Sequence, residues 1–173
     1  FPVEYIEDFI FQNIIFTGDF KMDNLEIVNE YEFVQSIFDG IFSCEKVETI
    51  GINAFYNSVF TGVFNCPNLQ AVGNAAFYDS QFNGAFNCPN VSYVGTSAFT
   101  YSQFTGEFNC PNLSSVGASA FRNSKFTGTF NCPNLTAVGY QAFEKSNFSG
   151  SLSLPVCTQI GDNAFVNSNF TQI

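Results

Sequence analysis

The chain has 173 residues, a length that suits one domain or one continuous repeat array. Hydrophobic residues make up 46% of it and charged residues only 12%, which argues against a disordered chain or a coiled coil. Fifteen acidic and five basic residues give a net charge of −10. This balance argues against nucleic acid as a partner, because few cations are present to neutralise phosphates.

The residue types also restrict chemistry and membrane insertion. The chain contains no histidine and no cluster of metal ligands, so we expect no enzymatic activity, no metal and no cofactor. Every apolar run is short compared with the roughly 20 residues that span a bilayer, so we expect no membrane insertion. The chain opens at Phe1 rather than Met, which we interpret as a processed product from which a leader could have been removed.

A period of 22 residues organises the whole chain. Four consecutive copies from Phe64 begin with the letters FNCPN, and looser copies precede and follow them. We interpret the chain as a single solenoid of about eight coils, of which the first is partial and acidic. In chain order the coils are 1–19, 20–41, 42–63, 64–85, 86–107, 108–129, 130–151 and 152–173.

Glycine and phenylalanine occupy fixed positions of the period. All 13 Gly fall into two columns, one from Gly18 to Gly150 and one from Gly51 to Gly161, and we expect them at two corners per coil that only Gly fits. Of the 24 Phe, 22 fall into three columns, which predicts a stacked aromatic core. The predicted core residues are Phe77, Phe99, Phe121, Phe143, Phe82, Phe104, Phe126 and Phe148.

The local pattern favours short strands over helices. A unit with a Pro, two Gly and several Asn has no uninterrupted stretch of helical length. The alternation F-x-G-x-F-x-C-P predicts a short strand closed by a Pro turn. Because the copies are nearly identical, we expect them to stack in register at the parallel-strand spacing of ~4.8 Å.

The coil Phe104–Ser124, FTGEFNCPNLSSVGASAFRNS, resembles the BspA-like, treponemal-type leucine-rich repeat, L-x-x-I-x-I-P-x-x-V-x-x-I-G-x-x-A-F-x-x-C. The unit here is one residue shorter, Phe replaces Leu, and Ser124 stands where Cys is common. The resemblance implies leucine-rich-repeat-like coils, a secreted or cell-surface location, adhesion and protein binding, and no catalysis. Its best matching positions are Pro111, Leu113, Val116, Gly117, Ala120 and Phe121.

One column consists almost entirely of cysteine. Met22 and Leu154 replace Cys at its ends, so we expect buried free thiols that behave as small hydrophobes. A disulfide between neighbouring coils is the alternative, and a zinc site is disfavoured because ligands in a line do not form a tetrahedron. Cys157 lies in an aliphatic column and is expected in the core as well. The predicted thiol ladder is Cys44, Cys66, Cys88, Cys110 and Cys132.

Two kinds of polar column can be interpreted as either structural or functional. The Asn columns are expected to form amide ladders and turn caps, although five N-glycosylation sequons make glycan attachment an alternative. The Ser column from Ser36 to Ser168 and the Thr positions beside it are expected on a solvated face rather than on an ice-binding surface. The sequons are Asn90, Asn112, Asn134, Asn147 and Asn169.

The two ends of the chain differ in charge. Residues 1–48 carry 11 acids and two lysines, which we interpret as a solubilising cap, with docking of a basic partner or Ca²⁺ as the alternative. The last coil is uncapped, and Phe165, Phe170 and Ile173 are candidate end-stacking residues. Either the natural chain continues or a second chain stacks head to tail, to which the acidic first coil is an objection.

These patterns predict a non-enzymatic extracellular or cell-surface protein that acts by protein–protein association. A self-assembling, head-to-tail structural subunit is favoured, because we expect no exposed column with the Tyr, Trp or Arg anchors typical of binding hot spots. The alternative is an adhesin or ligand-binding module that recognises an external protein. Its polar face would be centred on Thr105, Glu107 and Asn109.

Overall fold

A computed structural model describes residues 11–171 as a parallel β-solenoid of about seven turns with 22-residue coils. Within this range the secondary structure consists of short strands and turns, without a helix. The strands are β1 (Ile15–Thr17), β2 (Phe20–Lys21), β3 (Ile27–Val28), β4 (Ile37–Asp39), β5 (Phe42–Ser43), β6 (Thr49–Ile50), β7 (Val59–Phe60), β8 (Phe64–Asn65), β9 (Ala71–Val72), β10 (Gln81–Phe82), β11 (Phe86–Asn87), β12 (Tyr93–Val94), β13 (Gln103–Phe104), β14 (Phe108–Asn109), β15 (Ser115–Val116), β16 (Phe130–Asn131), β17 (Ala137–Val138) and β18 (Gln159–Ile160).

Equivalent strands of successive coils pair in parallel, each residue facing its counterpart 22 positions away, as in Phe16 with Phe38. One sheet has the order β1-β4-β7-β10-β13, and a second runs through seven coils as β3-β6-β9-β12-β15-β17-β18. A third side of the coil carries two separate sheets, β2-β5-β8 and β11-β14-β16. The fold is therefore the expected Phe-cored repeat solenoid with in-register stacking.

The corners of the coil differ from the expectation based on glycine. Only three glycines have positive φ, whereas each coil has non-glycine residues at two left-handed positions with φ between 51° and 60°. Asn, Gln, Asp and Ser occupy most of these positions, which suits side chains that tolerate the left-handed region. One column is Asn13, Gln35, Asn57, Asp79, Tyr101, Asn123, Lys145 and Asn167; the other is Tyr31, Asn53, Ala75, Ser97, Ser119, Gln141 and Asn163.

Most of the glycines serve close approach between coils rather than backbone freedom. A Cβ added at Gly117 would lie 2.6 Å from the backbone nitrogen of Thr96 in the preceding coil. The same addition at Gly139 would lie 2.6 Å from the nitrogen of Ala118. Real Cβ atoms are not found so close to backbone, so the column of Gly117 and Gly139 needs glycine because neighbouring coils touch there.

Phenylalanine rings fill the interior in three stacked columns. Phe99 and Phe121 stack with ring centroids 5.2 Å apart and planes 3° from parallel, while Phe99 meets Phe104 of its own coil edge-on at 5.6 Å. Both arrangements suit the charge distribution of aromatic rings, and each pair contributes about 0.5–1.5 kcal/mol beyond burial. All eight Phe proposed for the core are at most 3% exposed.

The serine column is buried, which corrects the prediction of a solvated face. Ser58 and Ser80 are fully buried, and their hydroxyls donate to the carbonyl oxygens of Phe33 and Phe55 in the preceding coil at 2.7 and 2.6 Å. The seryl oxygen also accepts from the backbone, as in Ser36 N–H to Ser58 Oγ at 3.3 Å. Ser36, Ser58 and Ser80 thereby link coils through the interior, whereas Ser102 donates to Phe99 O of its own coil. The exposed Thr61, Thr105 and Thr127 lie on the outer surface.

Candidate functional site

The cysteine ladder lies inside the solenoid. All five thiols are free, and none is more than 3% exposed. Burial raises the pKa of Cys44 and of Cys132 to about 12, and it raises the pKa of Cys66, Cys88 and Cys110 well above the ordinary value. Such thiols stay protonated at neutral pH, so the ladder offers packing and no nucleophile.

Cys157 has a different environment from the ladder. It is half-buried in the last coil, and its Sγ lies 3.4 Å from the carbonyl oxygen of Gln159. Its neighbours in this coil are also more exposed than their counterparts, since Ile160 is 55% exposed whereas Val138 is 3% exposed. Cys157 is therefore the cysteine most accessible to reagents.

The five sequon asparagines are all exposed. Asn90 and Asn134 donate their side-chain amides to the carbonyl oxygens of Pro67 and Pro111 in the preceding coil, at 3.0 and 2.9 Å. Asn169 donates to Asn147 Oδ1 at 3.2 Å. The Asn90 and Asn134 contacts are turn caps of the kind expected from the sequence, the Asn169–Asn147 contact was not expected, and glycan attachment remains a prediction.

The last described coil presents apolar side chains toward its open side. Phe165 and Phe170 are half-buried, each stacked on its counterpart in the preceding coil, and Val166 is 43% exposed. Ile173 lies outside the described residues. Any further coil, of this chain or of a second one, would stack on this side.

The acidic coils show no arrangement for a metal. Within residues 11–171 no group of three or more His, Cys, Asp or Glu is placed to hold an ion. Asp19 is held by the backbone N–H of Ile41 at 3.1 Å and by Lys21 Nζ at 3.3 Å, and both contacts lower its pKa. The other acids of residues 11–48 are exposed and form a negative surface, apart from Glu32, which is buried.

A row of tyrosines on one corner was missed in the sequence, where no exposed anchors were expected. Tyr56 and Tyr78 stack with ring centroids 5.1 Å apart, and Tyr78 meets Tyr101 edge-on at 5.6 Å. Tyr101 is 44% exposed, while the other two are partly exposed. Tyr56 and Tyr78 occupy one position of the repeat, and Tyr101 occupies the next position. Comparing only residues 22 positions apart therefore does not reveal that the three side chains lie together at the corner.

The row continues into a charged cluster. Arg122, two coils after Tyr78 in the same column, donates from Nε to Glu144 Oε2 at 2.8 Å, and Lys145 Nζ lies 3.4 Å from Glu144 Oε1. The side chain of Arg122 remains about one-third exposed. Partial burial, together with the neighbouring tyrosines, raises the pKa of Tyr78. We call Tyr56, Tyr78, Tyr101 and Arg122 the tyrosine ridge.

The backbone beneath the tyrosine ridge is held on both sides. Asn57 N–H donates to Tyr78 O at 2.8 Å, Asp79 N–H to Thr100 O at 2.9 Å, and Tyr101 N–H to Arg122 O at 3.0 Å. Each corner is thereby tied to the next coil, so the backbone that carries the rings is fixed before any partner arrives. Rigid, amphipathic side chains of this kind lose little entropy when they bind.

The polar face around Thr105, Glu107 and Asn109, proposed from the sequence for adhesion, has fewer features of a binding surface than the tyrosine ridge. Thr105 and Glu107 are exposed, whereas Asn109 is half-buried and donates its amide to Asn87 Oδ1 at 3.0 Å. Its side chains resemble the ordinary surface of the other coils. Of the two surfaces, the tyrosine ridge has the residue types that dominate binding energy.

Comparison with known proteins agrees with this architecture. A family model described as the BspA type leucine-rich repeat region matches residues 2–83 and 70–173, with six copies. No curated protein and no solved structure matches the chain significantly. Within residues 11–171 no helix is long and apolar enough to cross a membrane. Proteins of this kind generally mediate protein–protein interactions, are typically non-catalytic, and are typically secreted or found at the cell surface. The chain belongs to the BspA-type leucine-rich repeat family.

Proposed function

We propose that this chain is a non-enzymatic, extracellular or cell-surface binding module that holds an external protein against its tyrosine ridge. The observation that carries the proposal is the continuous contact of Tyr56, Tyr78 and Tyr101 on one corner, followed by Arg122. Tyr and Arg are the residues enriched at binding hot spots. Recognition of a partner is thus favoured over self-assembly, reversing the ranking drawn from the sequence.

The partner would meet a surface that is both aromatic and hydrogen-bonding. None of the three tyrosine hydroxyls donates to or accepts from another described residue, so each is available to a partner. The exposed part of Arg122 supplies further donors, while Asp79 offers an acceptor beside Tyr78. A polar, aromatic loop or strand of another protein has the matching chemistry.

The test is saturable binding of the purified, labelled chain to immobilised matrix and cell-surface proteins. A ridge variant carries Tyr56→Ser, Tyr78→Ser and Tyr101→Ser, and a matched control carries Tyr93→Ser and Tyr140→Ser at exposed but isolated tyrosines. Loss of the ridge should weaken binding more than about tenfold, the effect of about 1.4 kcal/mol, while the control binds normally. Equal losses in both variants, or undiminished binding by the ridge variant, would contradict the proposal.

A second candidate function is end-to-end self-association. It is supported by the apolar side of coil 152–171, where Ile160 and Val166 are 55% and 43% exposed. Backbone N–H groups of Asn163, Phe165 and Asn167 donate to no described residue, although their counterparts in earlier coils donate to the following coil. A second copy would add strands at this side, as open sheet edges permit.

This candidate predicts particles that grow in one dimension with concentration. Light scattering and negative-stain imaging would show rods, and the pair Ile160→Asp and Val166→Asp should abolish them. The control pair Ile27→Asp and Tyr93→Asp places the same charges on the exposed outer side of the seven-stranded sheet. A monomer at high concentration, or rods unaffected by the end variant, would exclude stacking through this coil.

A further inference from the structure

One corner of the solenoid is interrupted between two coils. At Gly106 an added Cβ would lie 2.5 Å from the backbone nitrogen of Ala85, and at Gly128 it would lie 2.6 Å from the carbonyl oxygen of Gly106. At Gly84, by contrast, an added Cβ would meet nothing within 4 Å. The backbone at Gly84 therefore does not lie close against the backbone at Gly62 in the preceding coil, and the regular stacking of the coils is interrupted there.

The strands and rings show the same break. The sheet β2-β5-β8 ends at Phe64–Asn65, and the next sheet begins at Phe86–Asn87. The rings of Phe64 and Phe86 lie 5.6 Å apart at 17°, whereas Phe42 and Phe64 lie 5.2 Å apart at 2°. Regular stacking resumes between Phe86 and Phe108, at 5.2 Å and 5°. We call this break the seam.

A cavity of about 170 Å³ opens at the seam. Its lining includes the buried rings of Phe64 and Phe82, the exposed apolar residues Val63 and Ala85, and the polar residues Thr61 and Asn83. Val63 is 62% exposed, so the cavity opens to the surface. An apolar cavity of about 150 Å³ holds a benzene ring, so this one has room for a single aromatic or branched aliphatic group.

The rim of the cavity is negatively charged. Thr61 Oγ1 donates to Asp39 Oδ1 at 2.9 Å, which places an exposed carboxylate next to the cavity through one hydrogen bond. The described coils on this side carry most of the acids of the chain, whereas Lys21 is already engaged by Asp19. A cation that approaches the cavity is attracted by this field, whereas an anion is repelled.

We propose that the seam cavity is a second binding site, which takes one aromatic or branched apolar side chain of a partner protein whose adjacent residue is Lys or Arg. The apolar side chain fills the cavity over Phe64 and Phe82, and the adjacent cation pairs with Asp39. A partner backbone would lie across the exposed residues Val63, Asn83 and Ala85. The site is formed by residues 61–64 and 82–85 and does not depend on the tyrosine ridge.

The probe is the dipeptide acetyl-Phe-Lys-amide, titrated into the ¹⁵N-labelled chain and followed by NMR. Amide shifts should concentrate at Thr61–Val63 and Asn83–Ala85. Acetyl-Phe-Gln-amide should bind about two- to fivefold more weakly, the range for an exposed ion pair, and acetyl-Phe-Glu-amide more weakly still. At high salt the three probes should converge. Absence of shifts at the seam, or equal binding of the Lys and Glu probes at low salt, would overturn the proposal.

Two variants separate the cavity from the charge. Ala85→Leu fills the cavity and should abolish the shifts, while Ala137→Leu, on the outer side of the second sheet, should leave them unchanged. Asp39→Asn should remove the preference for Lys over Gln, while Asp162→Asn, at an exposed carboxylate outside both proposed sites, should keep it. Val63→Lys, at an exposed lining position, repels the Lys probe and is a further block should Ala85→Leu prevent folding. Shifts that persist in both blocked variants would place the probe elsewhere and overturn the site.

Discussion

The hydroxyl of Ser58 lies 2.7 Å from the carbonyl oxygen of Phe33, a residue of the preceding coil that is 25 positions earlier in the chain. The same oxygen accepts the backbone N–H of Ser36, so one buried serine joins two coils. Ser124 occupies the equivalent place three coils later, but its buried hydroxyl has no partner in the structure. The serine column thus contains both satisfied and unsatisfied members.

This difference predicts opposite outcomes for the same substitution. Ser58→Ala should lower the free energy of unfolding by about 1–3 kcal/mol, because it leaves the Ser36 N–H and the Phe33 carbonyl without this partner. Ser124→Ala should change stability by less than about 0.5 kcal/mol, since it removes an unsatisfied polar group. Denaturant unfolding of the two variants measures both values. Equal losses would show that Ser124 makes a hydrogen bond in solution.

Gly117, at a contact between coils, should tolerate substitution less well than Ala75, at a left-handed corner position. Gly117→Ala should destabilise the array by more than about 2 kcal/mol, because the new Cβ collides with backbone that cannot move aside. Ala75→Asn should stabilise it by up to about 1 kcal/mol, because Ala75 has a φ of 51° and Asn tolerates that region better. Melting temperatures of both variants test this assignment. A harmless Gly117→Ala would show that the coils are farther apart than the structure has them.

The aromatic core is predicted to be sensitive at its centre. Phe121→Ala should cost about 3–5 kcal/mol, because it deletes a fully buried ring that stacks on Phe99 and Phe143. Tyr140→Ala, at a side chain that is 50% exposed, is the control and should cost little. Hydrogen exchange along the chain would show protection falling first in the coils beside Phe121. Unchanged melting would mean that this column is not interior.

The thiols should divide into one reactive and five protected groups. Cys157 is half-buried, whereas the five cysteines of the ladder are buried with raised pKa values, so Cys157 should react with a thiol reagent at neutral pH well before the others. Counting modified thiols by mass spectrometry, before and after unfolding, provides the measurement. The variant Cys157→Ser should remove the fast phase. Rapid reaction of Cys88 in the native chain would contradict the buried ladder.

The same ladder predicts a loss of stability at alkaline pH. Above pH 9.0 the thiols of the unfolded chain ionise, while Cys44 and Cys132 stay protonated up to about 12 in the folded chain. The unfolded state therefore binds fewer protons, and each of these two thiols should cost about 1.4 kcal/mol of stability at pH 10. Below pH 9.0 their contribution should be independent of pH. Cys132→Ala should flatten the alkaline decline, and an unchanged slope would contradict the assignment.

Some features of the site could be predicted from the positions of residues in the repeat, and others could not. Exposed sequons such as Asn90 follow from their place beside a Pro turn, since polar turn residues face solvent. The tyrosine ridge was hidden because Tyr78 and Tyr101 are 23 positions apart rather than 22, and the corner decides that their rings touch. The seam was hidden as well, because the letters FNGAF around Gly84 differ little from those of the intact corners.

The repeat alone determined the solenoid, the stacking in register and the phenylalanine core. A 22-residue period with Phe in fixed columns leaves parallel stacking as the arrangement that buries all copies equally, because each coil is too small to fold alone. Only the tertiary structure decided which side of each turn faces inward. Left-handed residues such as Asn57 and Asp79 turn the chain so that Ser58 and Ser80 point into the core while Tyr56 and Tyr78 remain at the surface. That choice depends on contacts between coils, which no single copy of the repeat contains.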